Sequence, residues 1–160
     1  MGYEALDFYD VDSLLTDEER MIRDAVRDWV DESVIPKIEN ACREGVFLDE
    51  WRQDIGSMGI LGAPLKGYGC PGLSYTAYGV ICRELERGDS GIRSFASVQG
   101  SLAMYPIWDF GSEEQKEKYL PGMATGELIG CFGLTEPGYG SNPGDMVTKA
   151  TEDGDGFVLN

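Results

Sequence analysis

The sequence contains no histidine. That absence excludes Ser–His and Cys–His catalytic pairs, histidine-ligated zinc and imidazole general bases. Positive charge is scarce as well. Thirteen Lys and Arg residues face twenty-nine Asp and Glu, a net charge of −16. A nucleic-acid binder needs the opposite field, because phosphate neutralisation drives its affinity, and an anionic membrane surface is disfavoured on the same ground. The acidity reads as solubility. No window approaches the ~20 apolar residues of a membrane span. The four cysteines, Cys42, Cys70, Cys82 and Cys131, form no C-x-x-C pair. They read as reduced core thiols in a cytosol-like compartment. The opening MGYEALDFYDVDSLL lacks a basic n-region and an apolar h-region, so no secretory signal is expected, and its acidity argues against a transit peptide. Gly2 has no Ser or Thr at the sixth position, which argues against myristoylation.

What is present is a foldable chain of 160 residues, 42% hydrophobic, enough for one domain or one domain plus part of another. TDEERMIRDAVRDWVDESVIP reads as a helix, with Thr16 and Glu19 as a capping box. Pairs at Met21/Ile22, Ala25/Val26, Trp29/Val30 and Ser33/Val34 repeat every four residues and make one apolar stripe, which Pro36 kinks or ends. A short continuation closes at Gly45, and LDEWRQDIGSMGI is a further helix. GAPLKGYGCPGLS reads as a loop. A helix capped by Ser74 follows, with Ala77, Tyr78, Ile81 and Leu85 on its apolar face. GDSG then interrupts before IRSFASVQGSLAMYPIWDFG, whose small residues permit close helix contact or approach of a ligand. Ser112 and Gln115 box the next helix, which a Pro-Gly turn should end. Trp29, Trp51 and Trp108 are expected in core or interhelix contacts.

The texture changes after Gly126. LIGCFGLT reads as a strand, and MVTKATEDGDGFVLN as a hairpin with an Asp-Gly turn. Between them lies a glycine-rich loop, CFGLTEPGYGSNPGDM, with no Lys or Arg before Lys149. GYGSNPG misses the dinucleotide fingerprint, since Pro143 takes the third glycine position and no βαβ unit surrounds it. No Gly-Lys-Ser/Thr follows, so it is not a P-loop. Two readings remain, an ordinary loop at a strand end or a cradle. In the cradle, backbone N–H groups and the hydroxyls of Thr135 and Ser141 meet a heterocycle's carbonyl or ring nitrogen, or a pyrophosphate assisted by a neighbouring subunit or domain.

Arg93 also carries two readings. It is a surface ion pair with Asp89 or a nearby Glu, or a pocket-facing fork for a carboxylate. Arg83 and Arg87 beside Glu84 and Glu86 read as a solvated mixed-charge face. Glu136, the one acid among Cys131–Gly144, is better explained by a Thr-Glu-Pro turn than as a catalytic base.

FGSEEQKEKYLPGMATGEL running into GCFGLTEPGYGSNPGDM resembles the acyl-CoA dehydrogenase family. Together with RELERGDSGIRSFASVQGSLAMYPI, it is most similar to the glutaryl-CoA dehydrogenase branch. The resemblance extends from about Leu14 to Asn160. It implies a mainly α fold: the family's N-terminal helical domain over residues 1–126, then the first strands of its middle β domain over residues 127–160. It implies FAD as cofactor, with Phe132, Gly133, Leu134 and Thr135 along the isoalloxazine and Gly140 and Ser141 beside it. Ser141 also falls where the family's loop serine meets the acyl-CoA. Arg93 and Ser94 match the pair that meets the distal carboxylate of a glutaryl chain, which favours the pocket-facing reading of Arg93.

The implied reaction is α,β-dehydrogenation of an acyl thioester, with decarboxylation to crotonyl-CoA as a further step in that branch. The family's catalytic glutamate belongs to a C-terminal domain that this chain does not match, so no catalytic residue is assigned, and no metal. The resemblance also implies electron-transfer flavoprotein as acceptor, a homotetramer, and a bacterial cytoplasm or mitochondrial matrix. Asn142 stands where the family often has Asp. The competing readings are a monocarboxylic acyl-CoA dehydrogenase or oxidase, and a non-catalytic helical module.

Overall fold

The computed structural model describes residues 6–160. The N-terminal modification reading at Gly2 lies outside them. Helix α1 (Asp17–Trp29) passes through a π-helical turn (Val30–Val34) into α2 (Ile35–Glu44). Helix α3 (Asp49–Ser57) precedes a small hairpin of β1 (Lys66–Gly67) and β2 (Cys70–Pro71). Helix α4 (Tyr75–Gly88) is followed by α5 (Ser90–Ser97), a second π-helical turn (Val98–Met104) and α6 (Tyr105–Phe110). Helix α7 (Glu113–Ala124) ends the helical part, and β3 (Ala150–Asp153) pairs antiparallel with β4 (Gly156–Leu159). The fold is mainly α with two short antiparallel ribbons. Among the described residues no helix is long and apolar enough to cross a membrane.

Local chemistry sets the helix starts. The Thr16 hydroxyl accepts the Glu19 N–H at 3.2 Å, and the Glu19 carboxylate accepts the Thr16 N–H at 3.0 Å. Ser112 and Gln115 repeat the arrangement at α7. The second Glu19 oxygen accepts the Ser74 hydroxyl at 2.8 Å, so the caps of α1 and α4 are tied together. Helix α1 packs against α4, and α4 against α5.

The four-residue stripe ends as Val26, Val30 and Val34, all fully buried. A strict four-residue repeat drifts by about 40° per step on an α-helix. The wider π turn at Val30–Val34 takes back that drift, so the valines stay on one face. Pro36 therefore neither ends nor breaks the rod. It sits second in α2, just after the π turn, and Pro106 sits second in α6 after the other π turn. The core continues through Trp51, Ile55, Leu61, Ile81, Leu85 and Leu120. Each indole N–H reaches another element: Trp29 to Asp54, Trp51 to the Ser33 carbonyl, Trp108 to the Lys66 carbonyl. Gly100 brings the second rod against the loop after α3, where a Cβ would lie 3.1 Å from the Gly62 nitrogen.

Several sequence expectations are corrected. Leu128–Thr135 is not a strand, because no described segment pairs with it. GAPLKGYGCPGLS contains the β1–β2 hairpin, whose turn residues Tyr68 and Gly69 both have positive φ, 54° and 86°, as a type I′ turn requires. Helix α7 runs through Pro121-Gly122 to Ala124. The thiols are free, but Cys42 and Cys131 are exposed rather than core. Burial pushes the half-buried Cys70 thiol up to about 11.

The Arg/Glu cluster on α4 is not a uniformly solvated face. Glu84 is only 1% exposed and receives hydrogen bonds from Arg27, Arg83 and Arg87. Burial pushes its carboxyl up, yet the hydrogen bond and charge of Arg27, with Arg87 and Arg83, outweigh that and hold it below the usual range.

Candidate functional site

Two groups of residues come from different elements. The first lies on α5. Asp89, in extended backbone, ends α4 and caps α5 by accepting the Gly91 and Ile92 N–H groups. The cap turns the chain so that Arg93, one turn later, faces back along α4. Its Nε donates to Glu86 at 2.7 Å and its Nη1 to the Ser97 hydroxyl at 3.2 Å. The pair is half-buried at Arg93, 35% exposed, and Glu86 holds the guanidinium firmly protonated. No described side chain takes the Arg93 Nη2, so one nitrogen of the fork is free. Ser94 is half-buried beside it, and its carbonyl accepts the Ser97 hydroxyl. On the facing helices, Tyr78 lies with its hydroxyl 3.4 Å from Ser101. Both line a slot of about 260 Å³ together with Tyr75 and Tyr105.

The second group is the segment after α7. The Leu128 N–H bonds the Gly122 carbonyl, and the Gly130 N–H bonds the side-chain oxygen of Gln99. From Cys131 to Thr135 the chain is irregular and exposed, and its main chain makes no hydrogen bond to any described residue. Phe132 is half exposed, and a Cβ added at Gly133, Gly138 or Gly140 would meet nothing within 4 Å. The loop then closes on itself. Glu136 and Tyr139 exchange backbone hydrogen bonds around Pro137-Gly138. The Glu136 carboxylate accepts the Thr148 and Val147 N–H groups, both at 3.0 Å. The Thr148 side chain foremost, and then these two N–H groups, hold its carboxyl below the usual carboxylate range. Glu136 is thus a loop staple, as the turn reading expects, and both its oxygens are engaged. Asn142 donates to Asp145 at 2.7 Å, and Ser141 is exposed just before it.

The structure brings Arg93 and Ser94 together, and separately aligns Phe132 to Thr135 ahead of Gly140 and Ser141. Neither Arg93 nor Ser94 bonds the loop directly. The connection runs through Gln99, which sequence reasoning missed. It is 1% exposed and donates to the Met123 carbonyl at 3.0 Å and the Leu128 carbonyl at 2.7 Å while accepting from Gly130 at 2.8 Å. Its position three residues after buried Ala96, on the face of the rod that packs inward, was the available signal. The unpaired main chain of Cys131–Thr135 offers alternating donors and acceptors with open space beside Gly133. That is the chemistry a planar, neutral heterocycle such as a flavin ring requires.

Residues 16–127 match the family described as acyl-CoA dehydrogenase, N-terminal domain. A probable acyl-CoA dehydrogenase of Bacillus subtilis is 36% identical over 149 residues, which take in 91% of this chain and 39% of that protein. A solved glutaryl-CoA dehydrogenase from Mycobacterium smegmatis in complex with FADH2 superposes with a TM-score of 0.93 at 49% identity, covering 97% of this chain and 40% of that one. Butyryl-CoA dehydrogenase from Megasphaera elsdenii superposes with a TM-score of 0.83 at 32% identity, over 97% and 40%. The chain therefore spans 39–40% of the length of these relatives.

Proposed function

The chain belongs to the acyl-CoA dehydrogenase family, and from that premise we propose that it supplies the N-terminal helical domain, residues 1–126, and the opening of the middle β domain, residues 127–160, of an FAD-dependent enzyme that desaturates glutaryl-CoA. When bound, FAD supplies the acceptor for the hydride lost from the acyl β-carbon. Phe132, Gly133, Leu134 and Thr135 would hold the isoalloxazine edge through their free backbone groups, with Gly140 and the Ser141 hydroxyl beside it. Arg93 would take the distal carboxylate with its free Nη2, assisted by Ser94, while Glu86 and Ser97 fix the rest of the guanidinium. Ser141 also borders the acyl thioester. With both oxygens committed to Val147 and Thr148, Glu136 is not the base. The general base belongs to the part of the relatives that this chain does not match. Decarboxylation to crotonyl-CoA is the further step that a γ-carboxylate permits. Electron-transfer flavoprotein as acceptor, a homotetramer, and a cytoplasmic or mitochondrial-matrix setting complete the proposal.

The observation that carries it is the free main chain of Cys131–Thr135, held at both ends by side chains of its own fold. The 49% identity to an enzyme holding FADH2 supports it. The test joins these residues to the remaining length of the Mycobacterium smegmatis enzyme. A yellow protein with one FAD per chain, oxidising glutaryl-CoA, is expected, whereas the 160-residue chain alone should retain little flavin. A folded fusion without flavin sinks the cofactor reading. A flavin-loaded fusion that prefers butyryl-CoA sinks the diacid reading in favour of a monocarboxylic substrate.

A further inference from the structure

Resting on that reading, we propose that Gln99 is a positioning residue that sets where the flavin-facing segment stands relative to Arg93 and Ser94. The amide uses both its hydrogens and its oxygen on main-chain groups of one short stretch: the Met123 carbonyl near the end of α7, then the Leu128 carbonyl and the Gly130 N–H. Phe132 is only two residues beyond Gly130. A peptide segment with no sheet partner has no ladder to define its height or register. Here those are defined by a side chain instead. The approach is close enough that a Cβ on Gly130 would lie 2.5 Å from the Ala103 Cβ and 2.8 Å from the Met123 Cε, so the segment lies directly on the rod that Gln99 projects from.

That rod is the one that carries the other end of the site. Arg93 and Ser94 lie less than two turns before Gln99, and the π-helical turn begins at Val98. The distance from the carboxylate-binding fork to the flavin wall is therefore spanned by one rigid element and three hydrogen bonds. For a glutaryl chain, whose reacting carbons lie between its thioester and its distal carboxylate, that distance decides whether Cα and Cβ sit against the ring. Small errors in such a span are costly to the reaction while leaving the end-group contacts intact.

The chain itself provides the first measurement, amide hydrogen exchange in the 160-residue protein with Gln99→Leu. Faster exchange at the Gly130 and Leu128 amides, which are hydrogen-bonded in the parent, with α4 amides unchanged, is expected. Exchange no faster there than in the parent overturns the clamp.

The second measurement uses the FAD-loaded fusion described above. Gln99→Leu should lower kcat on the order of tenfold or more, keep the KM for glutaryl-CoA within about threefold, and shift the visible flavin band. Gln99→Glu adds a signature that a merely structural role would not produce. Its carboxyl can accept from Gly130 and donate to Leu128 only when protonated, so its activity should recover toward acid pH, unlike the parent or the Leu variant. Where the Leu variant does not fold, the pH profile of Gln99→Glu decides alone. Lower melting temperatures with kcat, KM, flavin band and pH profile unchanged overturn the proposal. Failure of the parent fusion to hold FAD overturns the flavin reading instead, and the exchange measurement still decides the clamp.

Discussion

Arg27 grips Glu84 with two parallel hydrogen bonds, Nε to one carboxylate oxygen and Nη2 to the other, each 3.0 Å long, across the contact between α1 and α4. Arg87 adds a third to the same carboxylate and holds Asp31, in the π turn after α1, with its other edge, so the cluster laces the two rods over about one turn. Glu84→Gln keeps the shape and removes the charge. It should cost about 1–3 kcal/mol of stability by denaturant unfolding near neutral pH. An unchanged midpoint would mean that the cluster contributes nothing net.

The same carboxylate gives the acid limb of stability a direction. Its folded pKa lies below the ordinary value of 4.5. Its contribution is therefore fully present above about pH 4.5 and is lost as pH falls through the depressed value. A melting series through that window should fall less steeply for Glu84→Gln than for the parent. Equal slopes would assign the acid sensitivity to other groups.

Glu136 should titrate in the same sense with a local readout. Its carboxyl is also held below 4.5, by the Thr148 side chain foremost and then by the Val147 and Thr148 N–H groups. Both amide resonances should stay at their hydrogen-bonded positions above that pH and move together as the carboxyl protonates below it. Glu136→Gln should weaken the staple at neutral pH and leave the α1–α4 resonances in place. Independent movement of the two amides would show that they do not share the carboxylate.

Arg93→Ala in the flavin-loaded fusion should cut the preference for glutaryl-CoA over butyryl-CoA on the order of 10²-fold or more, since it removes a charged partner from a half-buried site. Glu86→Gln should cut it less, because the guanidinium stays and only its orientation is relaxed. An unchanged preference in both variants would leave Arg93 as a helix-pairing residue.

Gly130→Ala should destabilise the chain by about 1–3 kcal/mol, because the new methyl meets the Ala103 Cβ, which cannot swing away. Faster exchange at the Gly130 and Leu128 amides should accompany the loss. A neutral substitution would show that the segment lifts freely from the rod.

The helix starts were legible because they are local. Thr16 with Glu19 and Ser112 with Gln115 need only four consecutive residues each to satisfy orphaned N–H groups. The interhelix roles of the tryptophans followed from their size and single donor. Glu84 was misread because its neighbours Arg83, Glu86 and Arg87 resemble a solvated face. Yet it lies three residues after Ile81 and seven after Ala77, on the buried side. Leu128–Thr135 has a strand's composition, but pairing is a property of two segments, and the second is not among the described residues. For the site, the loop and Arg93 stood out by residue type. Gln99 did not, because a buried amide is defined by what folds over it.

The π turn at Val98–Met104 is, in effect, one surplus residue wound into a helix. Removing one residue there lets the rod rewind to a plain α-helix that turns through the same angle, so Arg93 keeps its phase relative to α6. We therefore expect a deletion of one residue between Gly100 and Met104 to retain diacid preference and preserve helical content by circular dichroism. Loss of the preference would show that the rod cannot rewind. The wide turn is then slack in the rod, a place where length can be lost without turning the acid-binding fork.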